Sequence, residues 1–253
     1  DAEAGNWPYL AMELVRGPTI TRYARDSQLN GLSLLELYAK VCDAVEHAHR
    51  GGVIHRDLKP ANILVESASA EPKVVDFGVA REIDPAATLS TLPGERLIGS
   101  APYMSPEQAS GQPADTRSDV YALGVILYEL IAGRPAFPSD GISLHELVRQ
   151  VRETTPPTLK VPAAFGKAAR DVSLVIARAM AKHAEDRYPS AGQLAADLRC
   201  IVAGAQVSIR PPSLWSVAAA SARRHKRALT LAAVTLACVL AIAAFGARQF
   251  LRA

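Results

Sequence analysis

The sequence predicts an α+β fold, mainly α-helical, with one further helix long enough to cross a membrane. Three observations predict it. Helix-start signals, a Ser followed three residues later by Glu or Gln, stand at Ser33, Ser143 and Ser190 ahead of helical segments. Strand-like runs are short and confined to the first third of the chain: 9–15, 63–65 and 73–75. Residues 228–247 carry no charge. About 20 residues of helix span roughly 30 Å, the thickness of a bilayer's hydrocarbon core.

The chain has 253 residues and is 49% hydrophobic, enough for one large domain and an appendage. The net charge of +3 is unevenly placed. Six of the 28 bases follow residue 222 with no acid among them, leaving 22 against 25 acids before it, or −3. The main domain is therefore not a basic nucleic-acid binder. Cys42, Cys200 and Cys238 are odd in number, far apart and form no CxxC. That excludes a disulfide framework and fits a reducing compartment. No signal peptide is visible at the start. Asp1, not Met, opens the chain, so it reads as a piece of a longer product.

In order, the run at 9–15 predicts a strand that stops at Arg16-Gly17-Pro18, a turn signal. Residues 19–28 predict a short helix. Ser33 and Glu36 form a capping box that opens a helix with apolar Leu34, Leu37, Val41, Val45 and Ala48, ended by Gly51-Gly52. His47 and His49 lie two apart and do not share a helix face, so they read as structural rather than as a metal pair. Pro106 suits the first turn of a short helix. Ser118 is the expected cap of an almost wholly apolar helix over 119–132, which must be buried, with Gly133 as its stop. Ser143 opens another helix, 167–182 is amphipathic, and Ser190 with Gln193 opens the last. Arg210-Pro211-Pro212-Ser213 reads as linker, and a basic run, 223–227, precedes the apolar span.

The chemistry is concentrated in His55-Arg56-Asp57-Leu58-Lys59-Pro60-Ala61-Asn62. Asp57 is a candidate base. Lys59 is a point charge for a transferring phosphoryl group. Asn62 offers an amide oxygen, the hard ligand that Mg²⁺ prefers. Pro60 stiffens the loop. Downstream, Asp76-Phe77-Gly78 follows the 73–75 run and adds a second metal carboxylate, an aromatic and a hinge. Ser105-Pro106-Glu107 comes later still.

These three signatures, in this order, resemble the H-R-D-L-x-x-x-N catalytic loop, the D-F-G and the A-P-E of protein kinases. The chain is similar to the bacterial members of the eukaryotic-type (Hanks-type) serine/threonine protein kinases. The resemblance covers residues 9–202, with 203–227 as a juxtamembrane linker and 228–247 as a transmembrane helix. It implies the mainly helical large lobe of a kinase-like fold, with ATP and Mg²⁺ as cofactors and protein Ser/Thr hydroxyls as acceptors. Lys59 in the loop is what favours Ser/Thr over Tyr in that family.

The resemblance also assigns roles. Asp57 would accept the hydroxyl proton, Lys59 would stabilise the transferring group, and Asn62 with Asp76 would hold the metal. Met12 would be the gatekeeper beside the adenine, Glu13 and Val15 would offer backbone groups to its edge, and Leu64 would floor the pocket. His55 would stack on Phe77. Asp119 would hydrogen-bond the catalytic-loop backbone. Ser100, where the family usually has Thr, would bridge Asp57 and Lys59. Arg187 would pair with Glu107. Arg56 would receive a phosphorylated activation loop, for which Thr88, Ser90 and Thr91 are candidate acceptors.

The family also needs a Gly-rich loop and a strand lysine over the phosphates. No Lys precedes Glu13 and Gly5 stands alone there, so the small lobe is expected to be missing and this chain by itself inactive. Bases before the apolar span place the kinase side in the cytoplasm and the chain in the cell membrane as a single-pass protein. A kinase-like scaffold without turnover is the alternative. Retention of Asp57, Asn62 and Asp76 together favours the enzyme.

Overall fold

The computed structural model describes residues 12–29, 31–77 and 99–208, all within one unit, Asp1–Ile209. The apolar span at 228–247, the basic run before it, Gly78, and Thr88, Ser90 and Thr91 lie outside the described residues. Among the described residues no helix is long and apolar enough to cross a membrane.

Helix α1 (Ile20–Asp26) is followed by α2 (Gly31–Arg50), a 20-residue helix whose apolar face carries buried Leu34, Leu37, Tyr38, Val41 and Val45. It starts at Gly31, two residues before Ser33. Ser33 thus sits inside the first turn rather than before it, so the predicted capping box is displaced. A 3₁₀ turn, Pro60–Asn62, leads into β1 (Ile63–Val65), which pairs antiparallel with β2 (Pro72–Val74) in the register Ile63↔Val74, Leu64↔Lys73, Val65↔Pro72. Ile63 and Val65 are buried and Leu64 is half-buried, as alternation along a strand requires.

The expected strand at 9–15 does not appear in its described part. Residues 12–15 take no strand pairing, and Met12 and Leu14 are 60% and 73% exposed. Pairing with the hairpin begins later. Ser67 N–H donates to Arg16 O and Val65 N–H to Pro18 O, both at 2.9 Å. The chain can lie that close only because residue 17 is glycine. A Cβ there would fall 1.8 Å from Val65 O.

The short helix α3 (Pro106–Ala109) has Pro at its start and a capping box between Ser105 and Gln108. Helix α4 (Thr116–Ala132) is the centre of the core, with Val120 to Tyr128 buried without a break. Its cap is Asp115, not Ser118. Asp115 accepts from Arg117 N–H while the Ser118 hydroxyl accepts from Asp115 N–H. Both residue types cap well, and they stand three apart. The helix takes the earlier one because Thr116 and Arg117 continue the turn. Gly133 closes it in the left-handed region at φ 67°.

Helices α5 (Leu144–Glu153), α6 (Ala169–Ala179) and α7 (Ala191–Val202) complete the domain. Ser143 and Ser190 cap α5 and α7 as expected, by accepting from Glu146 N–H and Gln193 N–H. A 3₁₀ stretch, Ala163–Ala168, takes the first part of the amphipathic 167–182 segment. Helix α2 lies between α4 and α7. The Tyr38 hydroxyl donates to Leu123 O of α4 at 2.6 Å, and the Glu46 carboxylate accepts from Gly192 N–H at the start of α7 at 2.9 Å. The catalytic-loop segment is thereby laid across buried helices instead of free in solvent.

Candidate active site

Asp119, in the first turn of α4, is 1% exposed. Three donors converge on its carboxylate: His55 N–H at 2.8 Å, Arg56 N–H at 2.9 Å and His49 Nε2 at 2.8 Å. A buried carboxylate without donors would be costly, so this set fixes the loop backbone just before Asp57. His49, read from sequence as structural, contributes from α2. Arg56 then turns through φ 65°, a left-handed value unusual for a non-glycine residue. The Gln108 side-chain amide donates to Arg56 O at 2.8 Å, so α3 holds the same turn from the other side.

His55 organises the next layer. Its Nδ1 accepts from Asp57 N–H at 3.3 Å, which leaves Nε2 to donate to Val75 O at 3.0 Å. Its ring lies 4.8 Å from that of Phe77, tilted by 44°. The residue therefore ties the loop to the strand end that carries Asp76, itself at φ 57°.

Asp57, Lys59, Asn62 and Ser100 meet in one place. Lys59 Nζ donates to Asp57 Oδ2 at 3.0 Å and to the Ser100 hydroxyl at 2.9 Å. The lysine is thus the bridge between the aspartate and the serine. Asn62 Nδ2 donates to Asp57 O at 2.9 Å. Among the described residues no bond engages the Asn62 amide oxygen. Asn62 O accepts from Val75 N–H at 2.9 Å, so Asp76 is the next residue beyond this rung. An amide oxygen and a carboxylate are both hard oxygen donors of the kind that Mg²⁺ prefers.

Arg187 stands behind the site. Its side chain is fully buried and makes two 2.7 Å bonds to the Glu107 carboxylate. Three carbonyls, of Ala181, Arg117 and Lys182, take its remaining N–H groups. Ser118, displaced from its expected capping role, donates its hydroxyl to Glu107 at 2.6 Å. Burial pushes the Glu107 carboxyl up, but the bonds from Arg187 and Ser118 outweigh it and hold it at about 2.

The protein kinase domain family matches residues 2–196. The chain belongs to that family. It is 40% identical over 202 residues to a probable serine/threonine-protein kinase of Corynebacterium efficiens, covering 79% of this chain and 30% of that protein. The serine/threonine-protein kinase PknB of Mycobacterium leprae is 39% identical over 199 residues, covering 78% and 31%. Among solved structures, the PknI kinase domain of Mycobacterium tuberculosis superposes with a TM-score of 0.53 at 25% identity, over 75% of this chain and 64% of that one. The fold is that of a protein kinase, helical with few strands. The chain spans about 30% of the length of the curated relatives it matches.

Within this kinase domain the remaining expected site residues are dispersed. Leu64 is half-buried on β1 and bridges to Thr19. Val15 is half-buried, while Met12 and Glu13 are exposed. Glu13 is held by Lys73 Nζ of β2 at 3.0 and 3.2 Å. Sequence reasoning missed this pair, and also Gln108. The Ser105-Pro106-Glu107-Gln108 spacing was a readable capping box; the reach of Gln108 to Arg56 had no sequence signal.

Proposed function

We propose that the protein of which this chain is part transfers the γ-phosphoryl group of ATP to Ser or Thr hydroxyls of proteins. The observation that carries this reading is Lys59 bonded to both Asp57 and Ser100, beside an Asn62 whose amide nitrogen is tied to Asp57 O. Asp57 orients the acceptor hydroxyl and takes its proton. Lys59 offers positive charge where the transferring group passes. Ser100 keeps Lys59 in place. Asn62 and Asp76 would hold Mg²⁺, which would supply charge neutralisation at the phosphates. Little covalent chemistry falls to the protein, so the rate comes from positioning and electrostatics.

The adenine lies against Leu64, with Met12, Glu13 and Val15 along its edge. Thr88, Ser90 and Thr91 are activation-segment acceptors, read by Arg56. Residues 228–247 cross the cell membrane once, with the kinase on the cytoplasmic side; nothing in this reading calls for nucleic acid. The support is the uncharged length of that stretch and the four bases Arg223, Arg224, Lys226 and Arg227 before it.

The test is transfer of radiolabelled phosphate to a generic basic protein by the full-length gene product. Asp76→Asn is expected to abolish Mg²⁺-dependent transfer while the fold survives, with Asp57→Asn as the blank. Wild-type turnover by Asp76→Asn would overturn the metal assignment. No turnover by the intact protein under activating conditions, together with retained partner binding, would favour the kinase-like scaffold. Residues 1–253 alone are expected to show no transfer above the blank, since no lysine precedes Glu13 to meet the phosphates.

A further inference from the structure

Asp197 lies on α7 and is 2% exposed, outside everything described for the catalytic site. Among the described residues no cation pairs with it. Its carboxylate is satisfied by the Tyr188 hydroxyl at 2.8 Å, Ser208 N–H at 2.8 Å and the Ser208 hydroxyl at 2.9 Å. Two of these three donors come from one residue, and that residue is exposed, in irregular chain beyond the end of α7. Its neighbour Val207 is 8% exposed and packs into the core. Ser208 therefore fastens residues 203–208 against the domain, at the point where the chain leaves it for the linker.

We propose that Ser208 is a phosphorylation site whose modification unfastens this exit segment. The proposal rests on the kinase reading above for its phosphoryl donor. A second copy of the protein supplies the chemistry. The Ser208 Oγ–P bond forms, the bond from phosphorus to the ADP oxygen breaks, and the hydroxyl proton passes to Asp57 of the second copy and on to solvent. The product can no longer donate from Oγ. It also sets a phosphate of about −1.5 to −2 charge beside a buried carboxylate, the arrangement that disrupts by repulsion. Asp197 loses its hydroxyl donor, and the Ser208 amide cannot stay without bringing the two anions together. Val207 leaves with it. The domain core is held by other helices and stays folded, so the change is confined to the junction.

Mass spectrometry reads this site. Trypsin does not cut before Pro211, so cleavage after Arg199 and Arg223 releases residues 200–223, and fragmentation of that peptide separates Ser208 from Ser213, Ser216 and Ser221. The full-length gene product is incubated with Mg²⁺ and ATP, digested and analysed by mass spectrometry, with amide exchange measured on the undigested protein. Phosphate on Ser208 with exchange at residues 203–208 at least tenfold faster is the expected result. Phosphate elsewhere in the protein but not on Ser208 overturns the inference and leaves the kinase reading standing. Phosphate nowhere overturns the kinase reading itself. Independently of any activity, Ser208→Glu is expected to speed exchange at 203–207 while Ser208→Asn does not. Equal exchange in the two variants would refute the repulsion between Asp197 and an anion at 208.

Discussion

Arg187 and Glu107 meet end to end, two nitrogens on two oxygens at 2.7 Å each, with the arginine sealed from solvent. Removing one partner leaves a charge inside the domain. Arg187→Met or Glu107→Gln is expected to cost about 3–5 kcal/mol. The pair also sets a pH window. The Glu107 carboxyl is lowered from 4.5 to about 2 in the fold. Its contribution is complete above 4.5 and is lost as pH falls from there toward 2. Denaturant titrations of both single variants and the double variant at neutral pH measure the coupling. Additive effects would mean the pair is not a unit.

Gly17 presses its backbone onto Val65 O. Gly17→Ala would place a Cβ 1.8 Å from that oxygen and 2.7 Å from its carbon. Backbone atoms cannot rotate away as a side chain does. Residues 12–18 must lift off the hairpin, at a cost of at least about 1–3 kcal/mol. Thermal melts and ATP titration are both expected to show loss. Wild-type values in both would mean the segment lies elsewhere in solution.

Lys182 carries an ammonium group among Val151 O, the Tyr121 hydroxyl and the ring of Phe137. Burial first, and then the nearby Arg187, bring it down from 10.5 to about 8. The unfolded chain therefore holds this proton more tightly than the fold between pH 8 and 10.5. Lys182 thus makes stability rise with pH across that window. Comparing melts of wild type and Lys182→Met at both ends isolates it, and the rise is expected to vanish in the variant. Parallel pH profiles would remove the assignment.

The proposed span at 228–247 makes an export prediction. A periplasmic-type reporter joined after Ala253 should be active outside, and a cytoplasmic one silent. The reverse pattern would overturn the span or its direction.

The catalytic grouping was legible because its members are close in sequence. Asp57, Lys59 and Asn62 span one loop, so their types and spacing already state the chemistry. Contacts between distant segments were legible only through family resemblance, as with Glu107 and Arg187. Others carried no mark at all. Asp197 looks like any acid on an amphipathic helix until the fold brings Ser208 beside it. Helix bounds failed where two good caps competed, Asp115 against Ser118, because each residue alone favours its own start. The run at 9–15 was misread in its described part for another reason. Apolar composition suggests a strand, but a strand exists only where a neighbour's backbone pairs with it, and residues 12–15 have no such backbone partner among the described residues.

The two-stranded hairpin has an open end and a closed one. Asn62 and Asp76 flank the open end, joined by the Val75-to-Asn62 rung, while residues 66–71 turn at the closed end. The number of residues between Asn62 and Asp76 is therefore not what sets their separation; the ladder register is. Chain added at the turn should lengthen the hairpin tip and leave both side chains where they stand. A shift of one rung would part them at unchanged length. Homologous domains are thus free to differ in loop length here, and a search that demands fixed spacing from Asn62 to Asp76 would pass over working relatives.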